Sequence, residues 1–462
     1  MQAITQYLKS RGFGCVDESY RTYIRLWAQW YRGKVPAFHS YRQYNGRKKI
    51  RRERKSLGMA KMVAEDWASL AMNEKAEIVV GKKTADRRVQ AVLEANHFRA
   101  RGNQLVELAF ALGTGAFVEY LDAGEVKLDY IPAGMIYPLS WDNGEVAECA
   151  FASERVKGND KLVYLNIHRL EGGKYIIENS MFRRSGNCLT PVGLPEGTSA
   201  VVRTGSGTPH FQIVRPNLAN NLDPDCPMGL SIYANALDQL EGLDLVYDSY
   251  CNEFRLGKKR ITVPVTMAQT IMEEDGSTTP VFDDNDTEFY ALTVTDPNGA
   301  DNKLVEHNME LRYEAHEAGV KTALGLLSYK CGLGTDRYSF EPGGVKTATE
   351  VVSEKSDLFQ NLKKHELVLR QALTGMALSI TDLLGLGTGY EVSVNFDDSI
   401  IEDVPAEKAQ FLQEIRDGVR QKWEYRVKFL GETPEAAKAM APEARSDEEL
   451  MGFGGKAPPG EG

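Results

Sequence analysis

The clearest hydrophobic pattern in the chain is a heptad stripe that follows Pro227. Its apolar side chains recur at spacings of four and three residues, at Ala236, Leu240, Leu243, Tyr247, Tyr250 and Phe254. A second stripe within 309–330 contains Tyr313, His316, Val320, Leu324 and Leu327. Both spacings predict helices with one apolar face. We therefore expect an outgoing and a returning helix that together make a stalk.

The segment between the two striped helices differs in composition. Residues 261–310 hold eleven acidic residues and one lysine, with strand-forming residues around 261–265, 281–282 and 289–294. This predicts a small acidic domain with β-structure at the tip of the stalk. Three cations, Lys258, Lys259 and Arg260, stand where the first helix ends. They either complement the carboxyl end of that helix or contact a polyanion.

The pattern of the amino-terminal half predicts helices on both sides of a strand-rich region. Residues 23–31 and 59–71 have helical spacing, and one further helix is predicted through Val92 to Ala109. Between 113 and 215 apolar and polar positions alternate, and turn signals stand at the tripeptides Asp122-Ala-Gly and Glu171-Gly-Gly. Strands placed between helical blocks predict an α+β fold, not a parallel βαβ enzyme fold.

The chain after the stalk begins with a loop. Residues 331–346 contain four glycines and a proline. Thr347 and Glu350 have capping-box spacing, and they start a single apolar stripe that continues to about Leu384. A helix of this length spans roughly 55 Å.

The remaining carboxyl-terminal segments are shorter. Tyr390–Phe396 alternates as a strand, and Pro405–Phe429 is amphipathic and predicts one helix. Residues 451–462 have a disordered composition.

Charge is distributed unevenly along the 462 residues. The formal net charge is −10, yet residues 1–55 hold fourteen basic and three acidic side chains, net +11, so the other 407 sum to −21. The densest basic run lies within 42–55 and includes Arg47, Lys48, Lys49, Arg51, Arg52 and Arg54. This basic arm either contacts nucleic acid or acidic protein, or is a solvated surface segment. We expect it on the outside of its domain.

Catalytic signatures are missing from the sequence. Gly81-Lys-Lys-Thr and Gly344-Val-Lys-Thr lack the upstream glycine and the spacing of a phosphate-binding loop. His316-Glu and His365-Glu lack the second histidine of a zinc protease. The six cysteines are too widely spaced for a zinc site or a small disulfide framework. We therefore expect no enzyme activity, no metal, no cofactor and no membrane segment.

Several stretches, in this order, resemble the portal proteins of tailed double-stranded DNA phages, in particular the portal family of long-tailed phages. They are 56–67 with Asn73 and Glu74, 130–138, 229–236 with Asp244, Asp248, Glu253 and Phe254, and 347–351. The resemblance extends from about residue 20 to 430 and rests on pattern and order.

The resemblance implies a portal-type fold with named parts. These are an α+β wing at 1–228, stem helices at 229–257 and 309–330, a clip at 258–308, a tunnel loop at 331–346, a long helix with the rest of the wing at 347–404, a helical crown at 405–450, and the tail at 451–462.

The resemblance also implies partners. By this resemblance, we expect twelve copies to form a homododecameric ring at one capsid vertex of the virion, assembled in the host cytoplasm, with the stripes of the stalk lying against neighbouring copies around the central opening. Double-stranded DNA passes through the ring without sequence specificity, pumped by a separate terminase. The head-to-tail connector docks on the clip, and capsid and scaffold proteins are neighbours. No membrane partner is implied.

Five residues of the central segments are candidates for light contact with DNA phosphates in the channel: Arg337, Tyr338, Lys346, Lys321 and Lys330. Arg337 and Tyr338 are favoured because their loop gives them no capping role. For each cation, helix-face solubility or pairing between subunits is the alternative. Two other functions stay open, a nucleic-acid-processing enzyme with a cryptic metal site and a monomeric helical adaptor.

Overall fold

The structure, a computed structural model, combines helices and sheets. It describes residues 2–44, 48–73, 76–158, 160–186, 188–258, 260–264, 270–272, 274–275, 278–280, 289–292, 305–339, 348–396, 411–430 and 433–440. Helix accounts for 45% and strand for 26% of it, which confirms the α+β class. The chain divides into two units, Met1–Phe396 and Asp397–Gly462.

Helices open the first unit. They are α1 Gln2–Ser10, α2 Glu18–Tyr31, α3 Pro36–His39, α4 Met59–Ala71, α5 Lys83–Ala95 and α6 Phe98–Leu112. The Asp17 side chain caps α2 by accepting a 2.7 Å hydrogen bond from the Ser19 N–H. Trp27 and Trp30 are buried, so the aromatic face of α2 packs inside its own unit.

The prediction of one helix through Val92 to Ala109 is wrong. Helix α5 ends at Ala95 and α6 begins at Phe98, because His97 between them has a left-handed φ of 52°. The Asn96 side chain stabilises this break. It donates to the carbonyl of Val126, and its oxygen accepts from the N–H of Leu128.

The strands of the first unit form several small sheets and one larger sheet. Before the stalk they are β1 Ser40–Tyr44, β2 Lys49–Glu53, β3 Glu77–Val80, β4 Gly115–Asp122, β5 Glu125–Pro132, β6 Ile136–Asp142, β7 Glu145–Lys157, β8 Asp160–Glu171, β9 Lys174–Ser185, β10 Cys188–Val192, β11 Val201–Arg203 and β12 Phe211–Val214. The larger sheet has the order β10-β9-β8-β7-β6, with β11 also paired to β9. A second sheet has the order β12-β4-β5.

Both predicted hairpin turns are confirmed. Asp122 pairs with Glu125 and Glu171 with Lys174, and Gly124, Gly172 and Gly173 have positive φ. Helix α1, which the sequence pattern did not indicate, covers the larger sheet. Its Ile4 and Leu8 are buried together with Val163, Leu165 and Ile167 of β8.

The remaining elements of the first unit carry the predicted stalk. They are α7 Leu237–Leu256, β13 Arg260–Pro264, β14 Thr270–Met272, β15 Thr278–Pro280, β16 Phe289–Leu292, β17 Val305–His307, α8 Tyr313–Lys330, α9 Ala348–Leu383 and β18 Val392–Asn395. Strand β18 pairs with β3, and β13 pairs with β16 and β17. The insert therefore contains β-structure as predicted, while residues 281–282 lie outside the described residues.

The first stalk helix starts later than predicted. It begins at Leu237, not at 229, because the preceding stretch is tied to α6. The Ile232 N–H donates to the Phe110 carbonyl, and Gly229 lies so close to Gly113 that a Cβ there would be 2.3 Å from the Gly113 carbonyl oxygen. The return helix likewise begins at Tyr313, not at 309.

The second unit is helical where it is described. Residues 411–416 are helical, and helices follow at Lys422–Leu430 and Pro434–Met440. The prediction of one helix over 405–429 is wrong within this part, because the chain turns at Gly418, which has a φ of 75°. Residues 405–410 lie outside the described residues.

Helix α9 is attached to the second sheet by buried polar groups. The Ser379 hydroxyl donates to Glu119 Oε2 of β4 at 3.1 Å, and His210 Nε2 lies 3.0 Å from Asp382 Oδ2. Glu119 is fully buried, and this burial raises its pKa to about 8. The side chain is therefore a neutral acid in the folded protein near pH 7.

Glu119 gives the first testable prediction. Its folded-state pKa lies above the unfolded value, so wild-type stability should fall as the pH rises from about 4.5 to about 8. Glu119→Gln keeps the shape without the charge, and it should raise the free energy of unfolding by on the order of 3 kcal/mol at pH 7. The difference should vanish near pH 4.

Urea unfolding at a series of pH values tests this expectation. Glu145→Gln, at an exposed site that begins β7, is the matched control and should change little at any pH. A Glu119→Gln gain that does not depend on pH would contradict the buried neutral acid.

Candidate functional site: the stalk, the loop after it and the basic hairpin

The two stalk helices α7 and α8 pack against each other within one chain. At the end where α7 begins and α8 finishes, Leu240, Leu243, Leu324 and Leu327 are at most 2% exposed. Further along, the rings of Tyr250 and His316 lie 6.5 Å apart. The helices approach closely at Gly319, where a Cβ would lie 3.2 Å from Val246 Cγ1.

This packing corrects the expected use of the predicted stripes. Their buried half is covered by the same chain, so that half is not available to a second copy. Phe254 and Tyr313, at the far end, remain 44% and 51% exposed.

Each stalk helix carries a second stripe that faces solvent. On α7 it consists of Gly242, Leu245, Ser249 and Leu256, the α7 outer stripe. On α8 it consists of Ala315, Ala318, Thr322, Leu326 and Tyr329, the α8 outer stripe. The large side chains of both outer stripes are well exposed, at 51% for Leu245, 52% for Leu256, 58% for Leu326 and 68% for Tyr329. Spacings of three, four and seven residues keep each set on one helix face.

A charge cluster closes the far end of the stalk. Arg312 donates to both carboxylate oxygens of Glu253, at 3.1 and 2.8 Å, and its backbone N–H also donates to Oε1 at 3.0 Å. These hydrogen bonds lower the pKa of Glu253 to about 2. His316 Nε2 lies 3.4 Å from Glu253 Oε2. The carboxylate joins the ends of both helices.

The three cations after α7 do not form one described group in the structure. Arg260 donates to the Leu256 carbonyl at 3.1 Å, which satisfies a backbone group at the carboxyl end of the helix. Lys258 is exposed. Lys259 lies outside the described residues.

The start of the predicted loop is held by two neighbouring helices. Trp67 Nε1 of α4 donates to the Cys331 carbonyl at 3.0 Å, and Asn361 Nδ2 of α9 donates to the Gly332 carbonyl at 3.1 Å. Gly332 has a φ of 79°. Only residues 331–339 of the loop are described.

Arg337 and Tyr338 do not project freely from this loop. Arg337 donates to both oxygens of Asp66 in α4, at 3.3 and 3.0 Å. Tyr338 is largely buried beside this pair, and burial together with Asp66 raises its pKa. In this structure the favoured channel cation is therefore paired within its own chain.

The other channel candidates also fall at different places. Lys321 pairs with Glu317 one helical turn earlier at 2.8 Å, and Lys330 is exposed in the last turn of α8. Lys346 lies outside the described residues. The structure does not bring the four described candidates, Arg337, Tyr338, Lys321 and Lys330, together as one site.

The basic arm folds as an antiparallel hairpin, which we call the basic hairpin (β1 and β2). Arg51 is exposed, and Lys48 and Lys49 are exposed at the turn, while Arg47 lies outside the described residues. Arg52 and Arg54 are half-buried. The Arg54 guanidinium stacks over the rings of Phe38 and Tyr41, at 4.7 and 4.5 Å. The interpretation of the basic arm as a solvated surface segment therefore holds for its exposed residues and not for its half-buried ones.

Two buried carboxylates of α7 tie the basic hairpin to the stalk. Asp244 lies 3.0 Å from His39 Nε2 and accepts from the Leu57 N–H at 2.8 Å. Asp248 accepts from the Lys55 N–H at 2.9 Å and from Asn252. The sequence did not predict this role, although both aspartates stand next to stripe residues, where a charge requires partners.

Within the described residues, no group of three or more His, Cys, Asp or Glu residues is arranged to hold a metal ion. No helix among the described elements has the length and hydropathy needed to cross a membrane. All six cysteines are thiols.

The described residues form a mixed α+β fold that carries a two-helix stalk. Residues 16–448 match the family described as phage portal protein, SPP1 Gp6-like. The match covers nearly the whole chain, so the chain belongs to this family of structural virion proteins, in which a dodecamer is typical. No curated protein matched.

The Asp244 anchor gives the second prediction. Asp244→Ala leaves the buried His39 and the half-buried Leu57 N–H without an acceptor, which should cost roughly 3 kcal/mol of unfolding free energy. Hydrogen exchange at the Leu57 amide and across 49–53 should accelerate, because the hairpin base loses its attachment.

Asp238→Ala, at an exposed carboxylate in the first turn of α7, is the control and should cost at most about 1 kcal/mol. Equal losses in the two variants, or unchanged exchange at Leu57 in Asp244→Ala, would show that the anchor does not hold the hairpin.

Proposed function

We propose that copies of this chain form a ring, with twelve subunits as the family expectation, at one capsid vertex of a phage. Duplex DNA passes through the ring during packaging and ejection. The terminase and the head-to-tail connector dock on it, and capsid and scaffold proteins surround it. Family membership supports this function, and the outer stripes of the stalk are the structural observation that carries it.

The outer stripes lie on different helices of the same stalk. A contact between the α7 outer stripe of one copy and the α8 outer stripe of the next uses two different surfaces, so it is a heterologous contact. Repeated contacts of this kind close into a ring when the rotation between copies allows it. Leu245, Leu256, Leu326 and Tyr329, each more than half exposed in the single chain, would then be buried.

In this proposal the parts take the names of the portal fold. Helices α7 and α8 are the stem, the β-containing insert is the clip, and the loop that starts at Cys331 is the tunnel loop. Helix α9 is the long helix next to that loop, the sheets with α1–α6 form the wing, and the helices of the second unit form the crown.

The charge distribution suits a passive conduit. Residues 56–462 sum to −21, and carboxylates on a channel wall do not neutralise phosphates or release counterions. DNA that meets such a wall stays mobile. Because the sequence has no phosphate-binding loop, we assign the hydrolysis of nucleotide that drives packaging to the separate terminase.

Leu326 gives the third prediction. Leu326→Glu changes a side chain that is 58% exposed in the single chain, so the melting temperature should stay nearly constant. The same change would bury a charge between copies, and ring formation should need at least about tenfold more protein. Negative-stain images classified by rotational symmetry, together with mass measurement in solution, give the readout.

Val156→Glu is the matched control, because Val156 is 72% exposed on β7 and belongs to neither outer stripe. Wild type and control should form rings. Wild type that stays monomeric would favour the adaptor function, and rings that survive both Leu326→Glu and Leu245→Glu would contradict the proposed contact. Metal-dependent cleavage of duplex DNA by the pure protein would favour an enzyme.

A further inference from the structure

The register of the basic hairpin puts its exposed cations on one face. Arg42 of β1 is paired directly with Arg51 of β2, and Tyr44 is paired with Lys49. Paired residues of an antiparallel ladder share a face, as do residues two apart along a strand. Arg42, Lys49 and Arg51 therefore point to the same side, the cationic face, and all three are exposed.

The other face of the hairpin is packed. Tyr41, Ile50 and Arg52 are half-buried there, and Arg54 stacks on Phe38 and Tyr41 just beyond the strand. The hairpin thus has one side turned to its own unit and one turned to solvent.

Neighbouring charges within the chain neutralise little of the cationic face. Arg51 donates to the Ser40 hydroxyl at 3.2 Å and lies 3.9 Å from Glu53, which also lies 3.8 Å from Lys34. The side chains of Arg42 and Lys49 make no ion pair or hydrogen bond with another residue in the described parts of the chain. Two like charges directly opposite each other destabilise a ladder, so an anion bound there would relieve this repulsion.

The attachment of the hairpin gives the face a fixed position. Lys55 and Leu57, which follow β2, are bonded through their backbone N–H groups to Asp248 and Asp244 of α7. His39, which precedes β1, is bonded to the same Asp244. Both strands are therefore held at their base, and the cations do not hang on a loose arm.

The chemistry of the face favours a phosphate backbone over a protein surface. Its side chains are all polar or charged, apart from the ring of Tyr44, and are Ser40, Arg42, Tyr44, Lys49, Arg51 and Glu53. Protein interfaces depend on buried apolar or aromatic anchors, and aliphatic anchors are missing from this set. Arginine, lysine, serine and tyrosine side chains are the usual partners of DNA phosphates.

We propose that the cationic face of the basic hairpin binds the phosphate backbone of duplex DNA without sequence preference, through Arg42, Lys49 and Arg51. This surface is separate from the loop that holds Arg337. The proposal deepens the proposed function, since duplex DNA is the cargo assigned there, but binding by the face does not require a ring.

The experiment measures fluorescence anisotropy of a short labelled duplex DNA with the full-length protein over a range of potassium chloride concentrations. The test variant is Arg42→Gln/Lys49→Gln/Arg51→Gln. It should bind about tenfold or more weakly at low salt, and the slope of log K against log salt should become shallower by about 2.7, for three lost phosphate contacts. Two unrelated DNA sequences should behave alike.

The matched control is Lys82→Gln/Lys83→Gln/Arg87→Gln, which removes the same charge from exposed sites at the start of α5. It should leave the salt slope unchanged, and circular dichroism should show that both variants fold.

Three results would overturn the proposal: wild type that does not bind the duplex at low salt, an equal loss in the two triple variants, or a test variant with normal DNA binding. Normal DNA binding with fewer rings would make the face a contact between proteins instead. Ring images are scored on the same samples, so failure of ring formation is read separately from failure of DNA binding.

Discussion

The position of the amino-terminal hairpin depends on two carboxylates buried in the first stalk helix. Asp244 and Asp248 are each less than a tenth exposed, and an unpaired charge at such a depth is costly. Both are paired with groups from one short segment, residues 39–57. These hydrogen bonds fix the hairpin to the first stalk helix, although about two hundred residues separate the two in sequence.

A second constraint acts at the same end of the stalk, where α8 ends. Trp67 is fully buried, and its indole ring lies 4.9 Å from the ring of His365 in α9 and 6.4 Å from that of Phe110 in α6. Its N–H holds the Cys331 carbonyl, where α8 ends. Burial lowers the pKa of His365 to about 3, and its neutral Nδ1 accepts from the Asn217 N–H. One tryptophan thus connects the return helix to α4, α6 and the long helix.

The sequence predicted those parts of the fold in which buried residues recur at regular intervals along one segment, or in which glycines mark a turn. The stripes of α7, α8 and α9 and the glycine turns of β4–β5 and β8–β9 are of this kind, and their bounds agree within a few residues, apart from the start of α7. Helix α1 was not predicted because its nine residues are stabilised by a sheet that begins more than 120 residues later in the chain. The break between α5 and α6 at His97 was not predicted because neither glycine nor proline marks it. The family followed from the order of segments, but the pairing of Arg337 with Asp66 did not, since 271 residues separate the partners.

If the contact proposed between the outer stripes joins the copies, each copy has a leading edge and a trailing edge. In a ring joined edge to edge, all copies must point the same way along the axis, so the two mouths of the opening differ. The number of copies is then decided by the angle between the edges and not by any extra contact. Adjacent subunit counts differ by only a few degrees at each joint, and a slight change in how the side chains of Leu245 and Leu326 interlock would be enough to add or remove one member.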